Sequence, residues 1–107
     1  MTLMTLHTLG EEQLERARLA SNGRASTTVH HGRRLRQTLL ALTAGTRLAE
    51  HQSPGDATVL CLRGSVVLNV GERAIDIPEG ALVDVPPQRH DLVANEDSLV
   101  VLTVGVG

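Results

Sequence analysis

From residue 26 onward the apolar positions recur in short, punctuated runs. Ile75 and Ile77 alternate with Ala74 and Asp76, the period-two pattern of a strand with one buried face. Similar segments, each ending near Gly, Pro, Asn or Asp, predict strands over 26–30, 35–43, 47–52, 57–63, 66–70, 73–77, 81–86, 90–95 and 98–104. Val70-Gly71-Glu72-Arg73 fits a two-residue hairpin in which glycine supplies the positive φ. This rhythm belongs to an antiparallel sandwich or barrel. Residues 8–22 differ: Leu14, Ala17 and Ser21 fall on one face of a helix, with Glu12, Glu15, Arg16 and Arg18 mostly elsewhere. Thr8-Leu9-Gly10-Glu11 has capping-box spacing, and Gly23 is placed to stop the helix. The expected organisation is an N-terminal segment, 1–25, carrying one helix, followed by one β domain over 26–107.

Three runs depart from simple alternation: Leu39-Leu40-Ala41-Leu42, Val59-Leu60-Cys61-Leu62 and Leu99-Val100-Val101-Leu102. A strand in a small barrel needs only one apolar face. The second face must be covered by the N-terminal helix, another sheet or another subunit, and a homodimer is the expectation drawn from it.

Composition narrows the chemistry. The 107 residues are 41% hydrophobic but contain no Phe, Tyr or Trp, so Leu and Val must build the core. No aromatic side chain is available to stack a base or a sugar, and no tyrosine to act as acid or base. All ten basic residues are Arg, so there is no lysine for Schiff-base chemistry. Cys61 is the single cysteine, which excludes an internal disulfide and suits a reducing, cytoplasmic setting. The opening MTLMTLHTLGEE lacks a basic flank and a long apolar core, unlike a secretory signal, and no run reaches membrane-spanning length. A net charge of −2 argues against general nucleic-acid affinity. The basic cluster His30-His31-Gly32-Arg33-Arg34-Leu35-Arg36 is expected to be a solvated strand edge that discourages edge-to-edge pairing.

Two motifs carry a resemblance. Gly45 is followed by five residues and His51; Ser53 and Ala57 stand at the next two spaced positions, and Gly64 closes the segment. Further on, Gly80 is followed by five residues and Pro86, then Gln88, His90 and, off spacing, Asn95. These patterns resemble the G-x5-H-x-H-x3/4-E-x6-G and G-x5-P-x-G-x2-H-x3-N motifs of the cupin family. The segments "EH-x-SPG-x-AT" and "PP-x-RH" are similar to those of small single-domain bacterial cupins, some of which are described as transcriptional regulators. This chain has no room for a separate helix-turn-helix domain. The resemblance spans residues 45–95, and the strand rhythm extends it to 26–104. It implies an all-β fold: an antiparallel cupin β-barrel, jelly-roll-like, with one short N-terminal helix.

The resemblance also implies a metal site of three His and one Glu around Fe, Mn, Ni or Zn. Only His51 and His90 carry over; Ser53 and Ala57 replace the other two donors of the first motif. Two imidazoles and water make a weak, open site. A third donor would come from Cys61, His30, His31 or Asp84. Period-two alternation turns Cys61 inward if Ala57 faces inward. The ligand-binding candidates are His51, Ser53 and His90 near the barrel mouth, and Arg89, which with Arg47 and Arg63 is near these segments and could pair with an anionic ligand. The functional expectation is a non-catalytic or small-ligand-binding module with a degenerate metal site. The alternative is a metal-dependent dioxygenase or isomerase that uses His51, His90 and a third donor.

Overall fold

A computed structural model describes residues 1–51 and 55–105, with Glu50 and His51 described by their backbone. One helix, α1 (Leu6–Leu19), precedes nine strands: β1 (Arg24–His31), β2 (Leu35–Leu42), β3 (Arg47–His51), β4 (Ala57–Arg63), β5 (Ser65–Val70), β6 (Arg73–Pro78), β7 (Leu82–Asp84), β8 (His90–Ala94) and β9 (Ser98–Gly105). Every strand lies where the apolar rhythm predicts one. The helix sits two to three residues earlier than predicted. Its N-cap is Thr5, with no side-chain capping bond, so the Thr8–Glu11 capping box does not form. Glu11 instead pairs with Arg63 at the end of β4, a tertiary contact that outcompetes the local one. Ser21 is exposed beyond the helix, and Gly23 adopts a positive φ of 70° in the turn into β1.

The strands form two antiparallel sheets, ordered β1-β2-β9-β4-β7 and β3-β8-β5-β6. At the hairpin, Val70 pairs with Arg73 across Gly71, whose φ is 60°. Gly64 turns the chain from the first sheet into the second with a φ of 89°. It stands against the backbone of Asp97 and Ser98, a position where a Cβ has no room.

Between the sheets lies a core without aromatic side chains, built from Leu40, Leu42, Val59, Val66, Leu68, Ile77, Leu92 and Val100 among others, with Cys61 in it. Each such side chain contributes about 1.5–3 kcal/mol by leaving water. The three doubly apolar runs are β2, β4 and β9, adjacent in the middle of the five-stranded sheet. Their inner residues join this core. On the outer face, Ala41 and Leu99 pack under Leu14 and Ala17 of α1. The helix is thus one cover for the second apolar face.

Candidate functional site

The site is built where β8 begins. Pro86 and Pro87 fix their own φ angles and bring the chain across the barrel end into β8. The amide of Val85 donates to the Ala57 carbonyl at 2.8 Å, tying this turn to the start of β4. His90 follows, 5% exposed. Its Nδ1 lies 2.8 Å from the Gln88 carbonyl oxygen. A carbonyl only accepts, so Nδ1 carries the proton and Nε2 is the ring's acceptor atom. The backbone register places position 51 opposite His90 across the β3–β8 ladder, and pairs His90 with Val70 on the other side. Ser53 lies outside the described residues, as does the side chain of His51.

The His90 ring lines a cavity of about 40 Å³ inside the barrel. Its other walls are mostly aliphatic: Leu48, Val59, Leu68, Val85, Leu92 and Leu102, with Ala57 where the motif has glutamate. That volume is on the scale of one or two waters. Larger spaces lie outside. A cleft of about 590 Å³ runs along Asp56, Ala57, Thr58, Asp84, Val85 and Pro86, and shares Ala57, Thr58 and Val85 with the inner cavity. Another, of about 520 Å³, lies between the β5–β6 hairpin and the turn before β8, and is lined by Arg73, Gln88 and Arg89 among others. Arg89 lines this cleft beside Arg73. Asp56 was not singled out as a site residue by sequence reasoning; it follows Ser-Pro-Gly in the sequence, and that adjacency was the available signal.

Other candidates are placed elsewhere. Cys61 is fully buried and faces inward, but it does not line the His90 cavity. Its Sγ contacts the Arg63 carbonyl at 3.5 Å, and burial pushes the thiol up from its ordinary value. Among the described residues no three His, Cys, Asp or Glu side chains are grouped to hold a metal ion. The described donors near the mouth thus do not by themselves fit the ion that the resemblance implies; among the described side chains, His90 is the one imidazole on the inner cavity. His30 and His31 sit on the β1–β2 hairpin, against a groove on the outer face of the five-stranded sheet. Arg47 and Arg63 are ion-paired, to Asp91 and to Glu11.

Asp91 is a structural finding that sequence reasoning missed. It follows His90 and points to the opposite face. One carboxylate oxygen accepts from Arg47 at 2.8 Å, and the other from Asn69 at 2.7 Å. The three residues brace β3, β8 and β5. Burial alone would raise the Asp91 pKa. The bonds from Asn69 and Arg47, with the charges of Arg47 and His90, outweigh it and hold the carboxyl below its usual value.

Comparison of the whole chain with solved structures decides the family of folds. A cupin superfamily protein from Desulfitobacterium hafniense superposes with a TM-score of 0.75 at 20% identity, over 85% of this chain and 87% of the other. The chain has the cupin fold. A conserved protein of unknown function from Streptococcus pyogenes matches with a TM-score of 0.74 and 27% identity, over 82% and 78% of the two chains. The salicylate 1,2-dioxygenase of Pseudoaminobacter salicylatoxidans matches at 0.78 and 16% identity, over 90% of this chain but 31% of the larger enzyme. No family model matches the sequence, and no curated protein does. Among the described residues no helix is long and apolar enough to cross a membrane.

Proposed function

We propose that this cupin is a ligand-binding module that takes a small polar molecule at the barrel mouth, against His90 and Arg89, without a catalytic metal. The observation that carries this reading is the interior itself. About 40 Å³ remains beside His90, walled by aliphatic side chains, with Ala57 in the place of a carboxylate donor. Metabolite-sized ligands occupy roughly 300–1,000 Å³. The mouth clefts of about 590 and 520 Å³ are of that size, and the inner cavity is not. Arg89 lines the smaller cleft, where a guanidinium can pair with an anionic ligand, and the larger cleft adjoins the cavity of His90 through Ala57, Thr58 and Val85.

A second reading, a metal-dependent enzyme, is favoured by one feature. The proton on Nδ1 of His90 leaves Nε2 as the acceptor, the arrangement that metal-ligating histidines adopt. The similarity to a dioxygenase leans the same way. In this reading His51, His90 and a third donor would hold the ion.

Two measurements separate the readings. Elemental analysis of dialysed, tag-free protein is expected to find no stoichiometric Zn, Fe, Mn or Ni. Metal near one equivalent that disappears in His90→Ala would promote the enzyme. A thermal-shift screen of small carboxylates and phosphates is expected to give a hit that both His90→Ala and Arg89→Ala abolish. At a hundredfold excess over Kd a ligand stabilises by about 2.7 kcal/mol, which for a domain this size is roughly 10 °C. A hit indifferent to both substitutions would place the ligand elsewhere.

A further inference from the structure

β3 is an edge strand, held in its sheet by β8 alone. Its pairing is irregular at the end that carries position 51. Arg47 stands opposite Val93 and Leu48 opposite Leu92, but the next pair is His51 with His90. Positions 49 and 50 therefore have Asp91 as their one counterpart, the two-against-one count of a β-bulge. Strict alternation along both strands would set position 50 opposite His90. The extra residue sets position 51 there instead.

Little else in β3 specifies that register. Among its described side chains Leu48 alone packs against the core, while Arg47 and Ala49 are exposed. Register is weakly specified where the apolar pattern is this sparse. A bulge-free strand would keep both the Arg47–Val93 and the Leu48–Leu92 pairs, so Leu48 cannot choose between the two arrangements.

Asp91, the residue opposite the bulge, is bonded from both sides. Nε of Arg47 on β3 donates to Oδ2 at 2.8 Å, and the amide nitrogen of Asn69 on β5 donates to Oδ1 at 2.7 Å. Asn69 stands directly across from Asp91 in the ladder, whereas Arg47 reaches it diagonally from the row of Val93. The Asp91 side chain is 12% exposed, and no strand or helix of the described residues lies over it; its two partners are what cover it. A buried charge pair is weak evidence for stability, and its best-attested use is to fix register.

We propose that Arg47, Asp91 and Asn69 are positioning residues that hold the bulge and thereby keep position 51 opposite His90. Asn69 ties β8 to β5, and Arg47 ties β3 to β8 across the irregular step. Without the brace, β3 relaxes to the bulge-free pairing and position 50 takes the place beside His90. The bearing of this on ligand binding rests on the proposed mouth site; the register itself does not.

Nuclear magnetic resonance of the intact, isotope-labelled protein tests this, with no ligand added. Wild type is expected to show backbone cross-peaks between positions 51 and 90. Arg47→Met and Asp91→Ala are each expected to lose them and to gain cross-peaks between positions 50 and 90, with a shift of the His90 ring-nitrogen signals. Cross-peaks between Leu48 and Leu92 belong to both arrangements and are expected in every variant. Arg47→Lys, which keeps a cationic donor, is expected to restore the wild-type pattern. Deleting Ala49 removes the extra residue, so position 51 is expected to stay opposite His90 by ordinary alternation and to become indifferent to Arg47→Met. Cross-peaks between 51 and 90 that persist in both Arg47→Met and Asp91→Ala overturn the proposal. So does their loss together with those of Leu48 and Leu92, because the brace would then hold the strand and not its register. If no small carboxylate or phosphate stabilises the protein in the thermal-shift screen, while the register follows Arg47 as described, the mouth site fails and the brace stands.

Discussion

The imidazole of His90 is held by the carbonyl of Gln88, two residues earlier, through Nδ1 at 2.8 Å. The contact fixes both the ring's orientation and its tautomer, because the donor must be the ring nitrogen. Nitrogen-15 spectra of the neutral ring are expected to show a protonated Nδ1 and an unprotonated Nε2. Finding the proton on Nε2 would contradict the Nδ1–Gln88 contact and remove the acceptor on which the metal-binding reading rests.

Asp91 predicts how stability changes with acid. Its carboxyl is held below the usual value by Asn69 and Arg47 against the opposing effect of burial. A carboxylate with a depressed folded pKa stabilises the fold above its unfolded value, about 4, and that contribution is lost as pH falls through the folded value. Denaturant titrations are therefore expected to show wild type losing more stability between pH 6 and pH 3 than Asp91→Asn does. At neutral pH, Asp91→Ala is expected to cost about 2 kcal/mol, the scale of hydrogen bonds to a charged group. Parallel pH profiles for wild type and Asp91→Asn would show that the Arg47–Asp91–Asn69 brace contributes no linkage.

Why was the barrel so legible and the mouth less so? Strand rhythm is a local property, and a core of Leu and Val obeys it: Ile75 and Ile77 turn inward as their alternation requires, against exposed Ala74 and Asp76. The motif glycines Gly45, Gly64 and Gly80 all adopt positive φ, so backbone geometry accounts for their spacing whatever became of the metal donors. Contacts that depend on distant charges were not legible. Thr8 and Glu11 have a capping box's spacing, yet Glu11 turns to Arg63, fifty-two residues away. Arg47 was equally plausible as an anion ligand until the fold set Asp91 beside it. The size of the inner cavity follows from how two sheets close on each other, which no single strand encodes.

Gly64 offers a test of that backbone reading. An added Cβ would come within 2.6 Å of the Asp97 carbonyl oxygen and 2.9 Å of the Ser98 Cα, at a φ of 89°. Neither atom belongs to a side chain that can swing away. Gly64→Ala is expected to cost about 3 kcal/mol and to lower Tm by more than roughly 10 °C. Gly45→Ala is the control. Its φ is 81°, but nothing lies within 4 Å of the new Cβ, so only the backbone strain of about 1 kcal/mol applies. Equal losses for the two variants would mean that φ alone, and not the close approach of β4–β5 to Asp97 and Ser98, sets the requirement for glycine.

The last prediction concerns the seating of α1 on the sheet. Gly10 is buried in the middle of the helix, where alanine would normally be favoured by about 1 kcal/mol. A Cβ there would overlap Cδ1 of Leu99, which is 1% exposed and packed under the helix with Ala41. Overpacking of this kind costs about 1–3 kcal/mol, so Gly10→Ala is expected to destabilise by about 1 kcal/mol in spite of its helix propensity. Leu99→Val removes the overlapping reach at a cost of about 1 kcal/mol when made alone. In the double variant the new methyl fills the space that the shortened side chain gives up. Its stability is therefore expected to exceed the sum of the single effects by about 1–2 kcal/mol, as residues in contact do. A double-mutant cycle in urea measures that coupling directly. Simple additivity would show that the helix lifts off to admit the methyl, so that the distance between α1 and β9 is set by the chain entering and leaving the helix and not by the Gly10–Leu99 contact.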